Sequence, residues 1–504
     1  MELPPERYYK EVQKVIGSVS NDAFYKYYLS KQGYYPSALL PNDFKANLTT
    51  LPLLKVDWSK SGKIPIKKPV QISTMNPDYS WRVYSLIHPE LYKRILREIS
   101  YSVTFKLIKA KLTHKLKKTY SYSMPAIFTA VSKGSFSSAS QISDYVRMTE
   151  KDILETIALE PEYNYLIKTD IQNCYGSIYT HSIAWAIHGI DKAKNGRNNY
   201  KKFIGNRLDK LFQNANNGET VGLPIGPIIS DVVYELIMKS IATELEHNTK
   251  DIDYICFQFK DDLWFLLKKG ANKERLLFEL SSILQRYKLS LNRQKLEVIQ
   301  INSLAEINKH KFELISGIPQ DIFRTKCLYN KHERIFPILM TKAIEVQKLY
   351  PRKKVVTSLL LYFSKTRFEK LDVKFRKEVV IWLLKILDIA KWSISSVLQL
   401  LLKVYPHLNI DDQALVQNSL QKHLNKASAD KNTFGVIWIA YFFNLLKVNY
   451  KLPQYKTIHP LLDAIVNKSE KIKFETEEYS NLIRKQIKDP ISDFINFNLF
   501  KNTY

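Results

Sequence analysis

The sequence predicts an α+β domain built on a split βαβ core, followed by an all-helical region, and three observations carry that reading. Between about residues 120 and 300, short apolar strands alternate with helical stretches in the order strand, helix, helix, hairpin, helix. Inside that region, YICFQFKDDLWFLL (254–267) sets Lys260, Asp261 and Asp262 between two aromatic-rich apolar runs, Tyr254 to Phe259 and Leu263 to Leu267, as a buried hairpin would. After about residue 320 the texture changes to long apolar helical segments with charged connections and no strand pattern.

Taken in order, residues 1–70 mix Tyr, Pro and polar residues and read as an irregular or short-helical lead-in. From Leu91 to Lys118 the pattern is helical. Within it, KLIKAKLTHKLKK (106–118) groups Leu107, Ile108, Leu112 and Leu116 on one side and crowds six lysines onto the rest. That lysine face is either solvated or turned to phosphate. YLIKTD (165–170) is a strand, and a helix begins near Thr180, a plausible cap. Another helix follows Pro227, then the hairpin, then a helix around 271–287. In the last third, EVVIWLLKILDIAKW, SSVLQLLLKVY and NTFGVIWIAYFFNLLKV are helix-long and strongly apolar. VVIWLLKIL and GVIWIAYFF resemble one another, which suggests stacked helical pairs with a loose period.

Across the 504 residues, 76 basic against 49 acidic side chains leave a net charge of +27, which favours polyanions: nucleic acid first, an anionic membrane surface second. A compositional bias towards Lys, Asn, Ile and Tyr is the competing source of that charge. Cys174, Cys256 and Cys327 are odd in number and widely spaced, which suits neither a disulfide framework nor a structural zinc site and points to a reducing cytosol. MELPPERYYKEV lacks a basic-then-apolar signal pattern. The apolar run FGVIWIAYFF (434–443) is roughly half the ~20 residues a membrane span requires, so no membrane partner is expected.

Four short stretches then occur in one order: TDIQNCYGSIYTHS with Asp170 at a strand end and Tyr175 after it, GLPIGPIISD, FKDD, and LSLNRQK. Each is weak alone. The FKDD pair reads equally as a plain turn or as a catalytic hairpin, because neighbouring strand positions face opposite ways and one Asp would take the working face. Together, the four resemble motifs A to D of the reverse-transcriptase superfamily, over roughly 160–300. Upstream, WRVYSLIHPELYKRIL (81–96) and YSMPAIF (122–128) are similar to its fingers segments. The wording of the first two motifs is similar to the bacterial defence branch, and within it to the abortive-infection (Abi) polymerases carried by P-two-group prophages.

That resemblance implies a right-hand fold: a lead-in (1–80) packed on the fingers, fingers and palm (81–320), and an all-helical C-terminal domain (321–504). It implies a nucleotidyltransferase in a bacterial cytoplasm that makes DNA from dNTPs with Mg²⁺ or Mn²⁺. Nucleotidyl transfer uses two divalent ions about 4 Å apart, held by hard oxygen ligands. By the resemblance, Asp170 and Asp261 bridge both ions, the Ile171 carbonyl assists, and Asp262 supports. Tyr175 matches the gate beneath the sugar, where a bulky ring leaves no room for a 2′-hydroxyl; a core tyrosine beside a strand is the alternative. Gly222, Pro224 and Gly226 line the nucleotide or simply shape a turn. Lys295 serves the pyrophosphate or is merely solvated.

Three departures concern strand handling. Ile225 stands where motif B has glutamine, Lys260 is a cation near the primer end, and SKGSFSSASQ lacks a triphosphate-gripping arginine, with Lys133 the nearest substitute. The Abi resemblance implies template-independent synthesis primed by a tyrosine of the protein, phage defence, homo-oligomerisation, and a single-stranded DNA product, free or covalently attached. Tyr8, Tyr9, Tyr34 and Tyr35 in the lead-in are the candidate primers. A templated RNA-directed polymerase and a catalytically silent nucleic-acid-binding module are the competing readings.

Overall fold

A computed structural model describes residues 2–30, 33–35, 45–46, 48–59, 64–133, 138–197, 199–302, 307, 327–351, 353–452 and 483–484. The described part of the lead-in takes the short-helical form that its sequence allows. Helix α1 (Pro4–Ser18) starts on prolines, which supply the fixed φ a first turn needs, and buries Tyr8, Tyr9, Val12 and Ile16 along one face. Helix α2 (Asn21–Ser30) buries Phe24, Tyr27 and Tyr28. Tyr8 stacks on Tyr122 at 4.1 Å and 2°, and Tyr34 donates from its hydroxyl to the Ile87 carbonyl at 2.8 Å.

Strands β1 (Val70–Met75) and β2 (Trp81–Leu86) form an antiparallel hairpin whose turn holds Tyr79 at φ 61°. The helix expected over 91–118 is two helices, α3 (Pro89–Ile99) and α4 (Ser102–Thr113), broken at Ser100–Tyr101 and ended before Leu116. Nor is its lysine face wholly free. Lys109 donates to the carbonyls of Gly17 and Val19 at 2.9 and 2.8 Å, closing the end of α1. Lys118 does the same at Thr249, Lys250 and Ile252, at 2.8, 3.1 and 2.6 Å.

A five-stranded sheet follows: β3 (Thr119–Ser121), β4 (Tyr163–Asp170), β5 (Tyr254–Phe259), β6 (Asp262–Lys268) and β7 (Glu297–Gln300), in spatial order β3-β5-β6-β4-β7. Only β3 and β5 pair in parallel. Between strands lie α5 (Met124–Lys133), α6 (Ser138–Leu159), short α7 (Cys174–Ser177), α8 (Ser182–His188), α9 (Ile190–Asn195), α10 (Ile204–Ala215), α11 (Ile228–Asn248) and α12 (Lys273–Arg286). Leu166, Ile167, Phe257, Phe265 and Leu266 are 1% exposed or less, so the central strands are covered on both faces and read as continuous apolar runs. The expected α+β class is therefore present, and its sheet is mixed.

From Phe336 to Leu445 the described residues are helical: α13 (Phe336–Leu349), α14 (Val355–Tyr362), α15 (Val373–Ile389), α16 (Ile394–Val404), α17 (Ile410–Ala429) and α18 (Thr433–Leu445). The C-terminal part is not all-helical as expected, because Ile483–Arg484 extends to pair antiparallel with Lys45–Ala46 of the lead-in. Successive helices pair, and the pairs stack in two layers, α13-α15-α17 beside α14-α16-α18. The two look-alike segments do not mark equivalent positions: one lies on α15 and the other on α18, in different layers. Helix α18 docks on the β1–β2 hairpin, where the Ser73 amide donates to Thr433 Oγ1 at 2.6 Å. Among the described residues, no helix is long and apolar enough to cross a membrane.

Candidate active site

The sheet brings the motif residues together at one end. Asp170 closes β4, and its register partner on the adjacent strand is Asp262. The connection between β5 and β6 is shorter than the three charged residues suggest. Phe259 pairs with Asp262, leaving only Lys260 and Asp261 in the turn, and Asp262 is the first residue of β6. Lys260 takes φ 51°, a left-handed conformation that favours glycine and costs about 1–3 kcal/mol for other residues. Its amide is held by Ser123 Oγ at 2.9 Å, which stabilises the turn. Next to it the Ile171 amide donates to the Asp261 carbonyl at 3.2 Å, locking the start of motif A against the turn.

Asp170 is 2% exposed. Burial raises its pKa, and Lys295, Asn292 and the like charge of Asp261 modify that shift, the first two downward and the last upward. Lys295 forms an ion pair with Oδ2, so in this arrangement it sits on the acid rather than beside a leaving group. Oδ1 is buried without a hydrogen-bond partner; Asn292 lies near enough to stabilise the charge without closing a bond to it. Asp262 is exposed to solvent yet surrounded by protein, and burial, then Asp261, pushes its carboxyl up to about 6. Burial disfavours the charged forms of Asp170 and Asp262, and the orphaned Asp170 oxygen is a hard donor of the kind a divalent cation takes. Asp170, Asp261 and the Ile171 carbonyl are the residues that would hold it. Among the described residues, however, no group of three or more acidic, histidine or cysteine side chains stands in an arrangement that could hold a metal ion by itself.

The GLPIGP loop is tied to motif A by main-chain bonds. The Gly222 amide donates to Ile178 O at 2.8 Å and the Leu223 amide to Tyr175 O at 2.7 Å. Gly222 and Gly226 take φ of 94° and 118°, so both positions require glycine, and Pro224 between them is buried. Ile225, the departure from motif B, offers its carbonyl to the Ser85 amide of β2 at 2.9 Å, so its main chain anchors the hairpin whatever its side chain does. Tyr175 is half-buried, stacks on Tyr234 at 4.8 Å and donates its hydroxyl to Asp231.

Two basic groups that the sequence reading passed over also face the acids. Arg82 on β2 is solvent-accessible; burial works against its charge, but Tyr84, Asp261 and Asp262 outweigh it and raise its pKa. Lys353, in the connection from α13 to α14, lowers the pKa of Asp262, so the helical stack reaches the site. An arginine inside the quoted WRVYSL strand was the available signal for the first. The second lies too far along the chain for any local pattern. Lys133 ends α5, and its side chain lies outside the described residues, as does most of the segment after it.

The four candidate primer tyrosines do not come to this site. Tyr8, Tyr9, Tyr34 and Tyr35 are all 6% exposed or less in the core. Burial pushes the Tyr9 hydroxyl up to about 12 and those of Tyr34 and Tyr35 well above the ordinary value, which disfavours the phenolate a nucleophile needs.

Comparison with known proteins agrees with the four motifs. Residues 93–325 match the family model described as reverse transcriptase (RNA-dependent DNA polymerase). No curated protein matches. Among solved structures, the chain is similar to a telomerase of Candida albicans in complex with a fragment of telomeric RNA. There the identity is 12%, the TM-score 0.28, and the match covers 70% of this chain and 64% of that one. It is also similar to an apo telomerase of Candida tropicalis, at 13% identity and TM-score 0.31, covering 78% and 68%. The chain thus spans under two thirds of the first structure's length. Polymerases of the matched kind transfer nucleotides, bind nucleic acid and dNTPs, and use divalent metals such as Mg²⁺. The chain carries a reverse transcriptase domain across residues 93–325.

Proposed function

We propose that this chain is a Mg²⁺-dependent DNA polymerase whose nucleotidyl-transfer centre is Asp170, Asp261 and Asp262. The observation that carries the proposal is the juxtaposition of the β4 end with the Lys260–Asp261 turn, with Asp170 in register with Asp262 and one buried carboxylate oxygen unpartnered. Bound divalent ions would supply Lewis-acid stabilisation to the entering and leaving oxygens. The chain's own residues do the rest. Asp170 and Asp261 orient the ligand oxygens with the Ile171 carbonyl, and Arg82 draws the negative triphosphate toward the acids. Gly222 and Gly226 let the main chain approach the nucleotide, and Tyr175 excludes a 2′-hydroxyl. Lys295, which pairs with Asp170 here, holds the place at that carboxylate that a bound cation would take. The β1–β2 hairpin acts as fingers and the central sheet as palm, with the lead-in and the helical stack braced against them.

At a finer level we propose an Abi-type enzyme of phage defence, homo-oligomeric and template-independent, that starts on a tyrosine of the protein. The apolar Ile225 side chain in place of glutamine supports independence from a template. The buried Tyr8, Tyr9, Tyr34 and Tyr35 move the primer role to exposed phenols; Tyr79, Tyr101 and Tyr329 are 72, 54 and 48% exposed. The test is incubation of nuclease-treated protein with labelled dNTPs and Mg²⁺, without nucleic acid, followed by denaturing separation and mass measurement. Label fixed to the protein, abolished by Asp261→Asn, is the expected result. Product that forms only when an RNA template and primer are added replaces the untemplated reading with a templated one. No product under either condition overturns the polymerase assignment, and phage protection by an Asp261→Asn variant would favour a silent binding module.

A further inference from the structure

Asp231, in the first turn of α11, has two carboxylate oxygens committed to two different parts of the site. Oδ1 accepts the hydroxyl of Tyr175, and Oδ2 lies 3.6 Å from the ammonium of Lys260, whose pKa is raised chiefly by this carboxylate. Three residues further along the same helix face, Tyr234 stacks on the Tyr175 ring at 4.8 Å and 19°. One residue beyond, Glu235 accepts from Ser123 Oγ at 2.6 Å, and Ser123 in turn accepts the Lys260 amide at 2.9 Å. The Tyr175 main chain is held separately by Leu223 at 2.7 Å. Tyr175 is therefore fixed at its backbone, at its ring face and at its hydroxyl, and the hydroxyl anchor is shared with the turn that carries Asp261. A tyrosine that only filled the core would need a single polar partner, not an acid already bridged to the catalytic hairpin.

We propose that Asp231 is a positioning residue that sets discrimination between deoxyribonucleoside and ribonucleoside triphosphates. It holds the Tyr175 ring rigid beneath the sugar and ties that ring to the Lys260–Asp261 turn, so a 2′-hydroxyl cannot be accommodated by swinging the ring aside. The proposal rests on the polymerase reading above. A steric filter works only as well as its wall resists displacement, and two unrelated interactions, stacking and a charge-assisted hydrogen bond, oppose displacement here.

The test measures kcat and KM for a dNTP and the matching rNTP with the full chain and with Asp231→Ala, Asp231→Asn and Tyr175→Phe. Loss of the anchor in Asp231→Ala or Tyr175→Phe is expected to reduce the deoxy-over-ribo ratio of kcat/KM by about 10- to 100-fold, mainly through a lower KM for the rNTP. Asp231→Asn keeps an oxygen acceptor and is expected to restore most of the ratio, while the Tyr175→Phe/Asp231→Ala double variant should fall no further than either single one. A merely structural Asp231 would depress both nucleotides alike and leave the ratio at its wild-type value, which overturns the proposal. If Asp231→Ala does not fold, Tyr175→Phe decides alone: an unchanged ratio overturns it. A wild-type chain that incorporates neither nucleotide defeats the polymerase reading itself, and this inference with it.

Discussion

The sheet end and the helical stack bury their side chains on opposite terms. In α18 every residue from Phe434 to Phe443 is buried, and all but Gly435 carry apolar or aromatic side chains. Such a helix is hydrophobic all round because neighbours cover every face. At the sheet end the buried set includes Asp152, Asp170 and Glu235, each with a carboxyl pushed upward first of all by burial. The difference teaches where folding stability is made and where it is given up. The stack is held by area removed from water, whereas the acid end keeps carboxyl groups whose charged form burial disfavours and which are held by hydroxyl donors or by Lys295.

Substitutions can break this contrast at either side. The largest effect is expected for Asp170→Asn, which should lower nucleotide incorporation about 1000-fold while the melting temperature stays the same or rises, since the folded state already disfavours the charged acid. A parallel activity assay and thermal melt check both halves. Phe442→Ala in α18 should do the reverse, lowering unfolding free energy by about 4 kcal/mol in denaturant melts, because it opens a cavity where no polar group can relax inward.

Glu235→Gln sharpens the comparison through pH. Burial, offset by Ser123 and Ser121, pushes the Glu235 carboxyl up to about 7 from an ordinary 4.5. The folded state therefore holds a proton that the unfolded state has released, so stability contributed by this group is present at low pH and is lost as pH rises to about 7 and above. The full loss is about 3 kcal/mol. The wild type should weaken relative to Glu235→Gln between pH 5 and 8 in urea melts, with the gap widening upward. The smallest effect belongs to Thr433→Ala, which removes the acceptor for the Ser73 amide and should cost about 1 kcal/mol, with faster amide exchange confined to the β1–β2 hairpin.

Much of the site was legible because its residues punctuate strong local patterns. Asp170 ends an apolar strand and Asp261 interrupts two of them, so both stand out without knowledge of the fold. The turn was misread by one residue because glycine or asparagine usually marks a left-handed position, whereas Lys260 occupies it here with help from Ser123, distant in sequence. Strand β3 is three residues long and pairs in parallel with β5, too short for any period to show. Lys109 and Lys118 looked like surface charge because nothing local reveals that they close helix ends elsewhere in the chain. Arg82 and Lys353 reach the acids only through tertiary packing, and Asp231 looked like the tail of a motif until its two oxygens were seen to have separate partners.

The β1–β2 hairpin is fastened at two places: Ser73 to Thr433 on the helical stack, and Ser85 to Ile225 in the glycine loop. A flap clamped at both abutments cannot swing as an independent lid. Any displacement of the strand that carries Arg82 must drag the helical stack or snap one of those fastenings, so the hairpin and the stack are geared to move together.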